Sequence, residues 1–533
     1  MIRPISASQS VAPAVTVGDH LEAWACRLDR RWVPIILMLG VIYVALIAPS
    51  VHRHLWFDEL HTYYIAQASS VRQFVEEIRV LDLNPFLTFL LARASMSALG
   101  PTEVGTRLPV ILGFFLGSIA MFIFMARRVG ALWAAAGVGL LWYNQSFYYA
   151  TEARPYGILL GFLGLMLVSW DYAADPTTGR RLRRWALGGV AAGAAGMLLS
   201  HGYAVFWIMP FWAAELIRQW RQRHIDWPLW AALILPMASC LTYIPLLQNA
   251  GQAVFEQSLQ GSLGNAVWFY VRTFYPIAPL VIVGGIAAIG IAAWRRASAA
   301  GPRSDTVEAT GMAAHDLTFL VFALLPPALL NIVTHYMHIA FYDRHAFLTR
   351  FTADLLILLF IAYECRANRL SGLAAAIIML GFTLFLSTDR LKSFYAPPAA
   401  ATSSAGKDFE RIDPELPFVA NSVLTYLEMD HYEKPEFLTR LYYLVDSESA
   451  IKYTHSNMTE GLPVMKQYFP IRAHVASYSE FTSTHRHFLV WGVPGQQGWL
   501  LTKLNAEGAQ VKEIGRFDSP YSDPELYEVR LDH

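Results

Sequence analysis

Six clusters of polar and aromatic residues carry side chains able to do chemistry. The first is Trp56-Phe57-Asp58-Glu59-Leu60-His61, where adjacent carboxylates sit just beyond an apolar run. Carboxylates beside a bilayer are costly unless solvated, paired or used. They could serve in acid/base work, or simply stabilise a helix first turn through its dipole. Leu81-Asp82-Leu83-Asn84-Pro85-Phe86 follows, with Asp82 placed either for chemistry or to cap the turn that Asn-Pro favours. Arg107-Leu108-Pro109 puts a guanidinium at the start of the next apolar run, where interfacial snorkelling is the plain alternative. Tyr148-Tyr149-Ala150-Thr151-Glu152-Ala153-Arg154-Pro155-Tyr156 sets Glu152 and Arg154 between Tyr149 and Tyr156. The two charges could pair, or the arginine could grip a phosphate bidentately. His201 stands in a Ser-His-Gly-Tyr turn, and Tyr342-Asp343-Arg344-His345 closes the set. A lone histidine at a membrane interface has a structural reading as well as a functional one.

The elements that position these clusters follow from composition. The chain has 533 residues, 55% hydrophobic and 15% charged, with 41 basic and 41 acidic side chains. Soluble domains run near 25% charged. Residues 389–533 hold 34 of the charged side chains in 145 positions, while the first 388 positions hold 48. A soluble enzyme, a disordered chain and a nucleic-acid binder fit poorly. A membrane protein with a soluble C-terminal domain fits well. The cysteines Cys26, Cys240 and Cys365 show no paired spacing, so neither a disulfide framework nor a zinc site is expected.

Eleven apolar stretches read as membrane helices, at 32–50, 107–126, 130–146, 155–171, 186–200, 203–217, 228–246, 273–293, 317–338, 347–364 and 371–388. With residues 1–31 cytoplasmic, 18 of the 27 arginines before residue 389 fall on inside segments, Arg3 and Arg303 among them. The first run reads as an uncleaved signal-anchor. An odd number of spans puts the C-terminal domain outside, and all six polar clusters fall on that same outer face. Such a constellation suits an acid/base reaction on a lipid-linked phosphate whose tail stays in the bilayer.

The outer segment 51–106 is longer than a connector needs, and its periodicity predicts surface helices near 58–69, 71–80 and 85–98. A second outer segment, 247–272, suits an interfacial helix or loop. Strands are expected at Phe418–Ala420, Leu441–Val445, His487–Val493, Val511–Phe517 and Leu526–Leu531, with helices near 422–433, 461–468, 477–485 and 498–507. That alternation predicts a small α/β domain over 391–533. It lacks a glycine-rich phosphate loop.

In order and spacing, the motifs resemble GT-C fold glycosyltransferases, in the branch of protein O-mannosyltransferases and the lipid A aminoarabinose transferase. Phe-Asp-Glu resembles that branch's acidic pair, Arg107-Leu108-Pro109 its Arg-Leu-Pro, and Glu152 through Tyr156 its Glu-Ala-Arg-Pro-Tyr. Asn84 and Phe86 stand where the branch has histidine and a second proline, and Arg344-His345 replaces Arg-Tyr. The resemblance covers residues 32–390. It implies a GT-C transmembrane domain and a hexosyl- or pentosyltransferase that uses a polyprenyl-phosphate sugar. Asp58 would then be the general base, with Glu59 and Asp82 assisting. Arg107, Arg154 and Arg344, with Tyr149, Glu152, Tyr156, His201, Tyr342 and His345, would hold the donor. The acceptor would be a glycolipid, a glycan or a protein, and no nucleic acid would take part. The resemblance implies a bacterial inner-membrane location with a periplasmic or extracellular active face. No cofactor is required on this reading; a divalent cation between Asp58 and Glu59 is the variant of it. The competing class is a secondary transporter or lipid flippase, which would place ionisable residues nearer the bilayer midplane.

Overall fold

The structure, a computed structural model, describes residues 17–82, 84–244, 246, 262–298, 312–337, 341–388, 413, 415–455, 461–493, 498–517, 521 and 525–531. Arg3, Arg303, Leu83 and residues 247–261 of the second outer segment lie outside the described residues.

Helices α1 (Val17–Asp29) and α2 (Trp32–Val51) lead into three short helices, α3 (Phe57–Ala66), α4 (Val71–Leu81) and α5 (Leu87–Leu99). These three match the helices expected in the segment 51–106. The bundle continues with α6 (Glu103–Val129), α7 (Ala131–Tyr143), α8 (Pro155–Ala174), α9 (Arg180–Ser200), α10 (Val205–Gln222) and α11 (Trp227–Ile234). Further helices run over Leu263–Phe274, Ala278–Ser298, Ala314–Phe322, Pro326–Met337, Leu348–Glu364 and Arg369–Leu386.

Each of the eleven apolar stretches overlaps helix, but their lengths differ from the expectation. Among the described residues, six helices are long and apolar enough to cross a membrane: Trp32–Val51, Glu103–Val129, Pro155–Ala174, Ala278–Ala297, Ala314–Met337 and Arg369–Leu386. Breaks account for part of the difference. The stretch 130–146 ends as a helix at Tyr143 and continues as a 3-10 turn over Gln145–Ala150. The stretch 228–246 passes into 3-10 geometry at Leu235–Tyr243.

Helices α6 and α8 pack closely against each other. Lipid gives no hydrophobic drive between helices, so small residues let backbones meet. A Cβ on Gly113 would stand 2.5 Å from the Gly157 carbonyl oxygen, and one on Gly157 would stand 2.4 Å from that of Val110. Both helices start at the same end of the bundle, which places Arg107 and Arg154 side by side. At the opposite end, arginines read from the sequence as cytoplasmic markers are paired: Arg127 with Asp171 at 2.6 Å, and Arg128 with Asp171 at 2.8 Å and Asp316 at 2.9 Å.

The C-terminal region holds a six-stranded sheet in the order β3-β2-β1-β4-β6-β5. Its strands are β1 (Phe418–Ala420), β2 (Leu441–Val445), β3 (His474–Ser477), β4 (His487–Trp491), β5 (Gln510–Arg516) and β6 (Glu525–Arg530). The first four pair in parallel, and β6 joins β4 and β5 antiparallel. The sequence reading missed β3, a four-residue edge strand without full burial on either face. The helix Val423–Tyr432 covers one face and packs on α3. Leu60, Ile65, Phe74 and Phe89 of the α3–α5 segment share one hydrophobic core with Tyr426 and Phe469 of the tail. The segment 51–106 therefore packs as part of the tail's core as well as an extension of the bundle.

Candidate active site

Asp58 and Glu59 are neighbours in the first turn of α3, and a helix rotates successive residues by about 100°. The two carboxylates consequently face different partners. Glu59 turns inward. Its Oε2 accepts the Trp56 backbone N–H at 3.3 Å, which caps the helix, and its Oε1 accepts the Ala153 N–H at 2.7 Å. Arg107 grips both oxygens, from Nε at 2.8 Å and Nη2 at 2.7 Å. The remaining Arg107 donors go to the carbonyls of Val51 at 2.9 Å, Arg53 at 2.7 Å and His54 at 3.0 Å. Glu59 and Arg107 are both 0% exposed. Every Arg107 nitrogen is thus engaged in fastening α2, α3 and α6 together, so its expected role as a donor ligand is filled instead by structural bonds.

Asp58 turns toward the open side. Its side chain is 18% exposed, and Oδ2 accepts from Arg344 Nη1 at 3.0 Å, with Arg154 Nε 3.9 Å away. Arg154 Nη1 donates to the Asp58 carbonyl at 3.2 Å and to Asp82 Oδ2 at 2.9 Å. The other Asp82 oxygen accepts from the backbone and side-chain nitrogens of Asn84, at 2.9 and 2.7 Å. Burial alone would raise the Asp82 carboxyl. Arg154, His61 and Asn84 outweigh that and hold it below its ordinary value. Burial likewise opposes the charge on Arg154, and Asp82 and Asp58 reverse the balance. Arg154 therefore stays cationic.

Several polar atoms around this array are buried with no hydrogen-bond partner among the described residues: Arg154 Nε, Arg344 Nε, Glu152 Oε2 and His61 Nε2. Buried polar atoms are normally satisfied, and exceptions call for an explanation such as a bound group. Glu152 is 1% exposed. Burial, then the nearby charges of Glu59 and Asp58, push its carboxyl up to about 7.

An aromatic wall flanks the charges. Tyr149 packs on Tyr156 at 4.8 Å between ring centres, and both pack on Phe347 at 5.5 Å. The wall continues through His201, 5.8 Å from Tyr156, to His345, 5.7 Å further on. The Tyr342 ring lies 4.7 Å from the Arg344 guanidinium carbon. Burial, and then Arg154, bring His201 down to about 4. His345 lies well below its ordinary value through burial, His201 and Arg344. Both rings are neutral at physiological pH.

The structure thus gathers all twelve residues expected from the sequence at one end of the bundle, in two groups: a closed Glu59–Arg107 brace, and an open array around Asp58. Sequence reasoning named His61 within the first cluster but gave it no role, although it follows Asp58 by one helical turn. It overlooked Arg53, which reaches Glu59 at 3.3 Å, and Tyr432 of the tail, which accepts the Leu55 N–H at 2.7 Å.

Fold and site together define a class, a multi-pass helical membrane protein with a polar site where helix ends meet an α/β tail. Its fold is similar to that of ArnT from Cupriavidus metallidurans. The crystal structure bound to undecaprenyl phosphate aligns with a TM-score of 0.49 and 15% identity, over 93% of this chain and 97% of that one. The apo structure aligns with a TM-score of 0.46 and 16% identity over the same shares. No protein-family model and no curated protein matches the sequence.

Proposed function

We propose that this chain is an integral-membrane inverting glycosyltransferase. It moves a sugar from a polyprenyl-phosphate donor to an acceptor hydroxyl at the periplasmic or outer face of a bacterial inner membrane. The observation that carries the reading is the open array: a part-exposed carboxylate, Asp58, held by Arg344 beside Arg154, with the Nε of each arginine buried and without a hydrogen bond among the described residues.

Asp58 Oδ takes the proton from the acceptor hydroxyl. The oxygen attacks the anomeric carbon opposite the phosphate, and the anomeric carbon–oxygen bond to phosphate breaks. The lipid phosphate departs with the electron pair, its charge met by Arg154 and Arg344. Fixed cations aimed at developing charge are commonly the largest catalytic contribution. The N-termini of α6 and α8, which both open at this end, favour an anion there as well. Asp82 and Asn84 fix Arg154, and Glu59 and Arg107 fix the turn that carries Asp58. The wall of Tyr149, Tyr156, His201, Tyr342 and His345 gives a neutral surface on which a sugar ring can lie. These steps need neither nucleotide nor metal, because the sugar ester is already activated. The acceptor is a glycolipid, a glycan or a protein.

The test is sugar transfer from polyprenyl-phosphate-linked pentoses and hexoses by the purified protein in lipid bilayers. Full transfer by an Asp58→Ala variant would remove the mechanism. Ion-coupled uptake into proteoliposomes without transfer would put a transporter in its place.

A further inference from the structure

We propose that His61 is a binding residue of this site, and that its Nε2 accepts a hydrogen bond from a substrate hydroxyl. The proposal rests on the glycosyltransferase reading.

His61 lies three residues after Asp58 in α3, a spacing that puts both on one face of a helix. It is 6% exposed. Its Nε2 is buried without a partner among the described residues. In a neutral imidazole protonated on Nδ1, Nε2 is an acceptor. The ring cannot turn freely to find another partner: Phe57 packs 4.7 Å from it and Phe469 of the tail 5.4 Å, nearly edge-on. The charged groups around it are Asp82, Asp58 and Arg154. Burial favours the neutral ring, against the pull of the two aspartates. A fixed, neutral, unfilled acceptor beside the proposed base suits the hydroxyl of a sugar-like substrate. A site built to accept from a hydroxyl discriminates against analogues that lack it.

The test exploits the two ring nitrogens. His61→Asn keeps a polar side chain but shortens it and removes the outer acceptor. His61→Gln places an oxygen near the Nε2 position. Both are prepared as full-length protein in bilayers and assayed with polyprenyl-phosphate-linked sugars on native envelope acceptors. The expected result is at least a tenfold rise in KM for one substrate in His61→Asn, with His61→Gln within about threefold of wild type. If the asparagine variant does not fold, His61→Leu against His61→Gln reads the same difference. Asparagine matching wild type, or glutamine losing as much as asparagine, would overturn the proposal. A wild-type protein that transfers no sugar would overturn the underlying glycosyltransferase reading, and the role of His61 with it.

Discussion

Arg107 holds Glu59 by two near-parallel hydrogen bonds, 2.8 and 2.7 Å long, between side chains sealed from solvent. Removing one member of a buried pair leaves a charge with nothing to neutralise it, at a cost of about 3–5 kcal/mol. Arg107→Ala is therefore expected to lower thermal stability sharply, and Arg107→Lys to recover only part of it, because lysine lacks the planar fork. Thermal unfolding of the purified variants checks this. Unchanged melting in Arg107→Ala would show that the brace contributes nothing.

Asp58 presents the opposite case. It is partly exposed and caps no helix end, so Asp58→Asn should fold and melt like wild type. General base catalysis contributes on the order of 10²–10⁴-fold. Turnover should fall by that factor while donor binding persists. Stopped turnover with equally lost donor binding would argue for a binding role instead.

The contrast between two adjacent acidic residues shows what the sequence could and could not convey. Their proximity to an apolar run, and the alternation of arginines, placed them on one side of a membrane. The division between brace and open carboxylate depended on partners far along the chain: Arg344 lies 286 residues from Asp58 and Arg107 lies 48 from Glu59. Helical periodicity exposed α3 to α5, because amphipathic spacing is local. The shared core of those helices with the tail was invisible, since apolar residues such as Phe74 and Phe469 carry no mark of their partner. Strand β3 escaped because four residues at a sheet edge give too short an alternation. Helix lengths departed from the expected stretches where helices break or pass into 3-10 turns, as at Gln145–Ala150 and Leu235–Tyr243, which composition alone does not register.

Glu152 supplies a pH dependence. Its carboxyl is raised to about 7 in the folded protein, chiefly by burial. A raised carboxyl contributes stability that is complete below its unfolded value, near 4.5, and is lost as pH climbs through about 7. The shift corresponds to about 3 kcal/mol. Glu152→Gln removes this titration, so the variant should gain stability relative to wild type as pH rises from 5 to 8. Melting curves of both proteins across that range decide it, and parallel curves would show that Glu152 does not titrate there.

Tyr432 joins the tail to the site. Its hydroxyl accepts the Leu55 N–H at 2.7 Å, donates to Glu103 at 3.2 Å, and its ring stacks on His54 at 3.8 Å. Leu55 immediately precedes the turn that carries Asp58, and Glu103 opens the helix that carries Arg107. Tyr432→Phe keeps the stacking and removes both hydrogen bonds, leaving a buried N–H unsatisfied at about 1–3 kcal/mol. Local opening of residues 52–66 should rise accordingly, as hydrogen exchange would record, and turnover should fall with it. Tyr432→Ala, which also removes the ring, should do more on both counts. Faster exchange with full turnover would confine Tyr432 to stability; unchanged exchange would mean that the tail does not brace the loop.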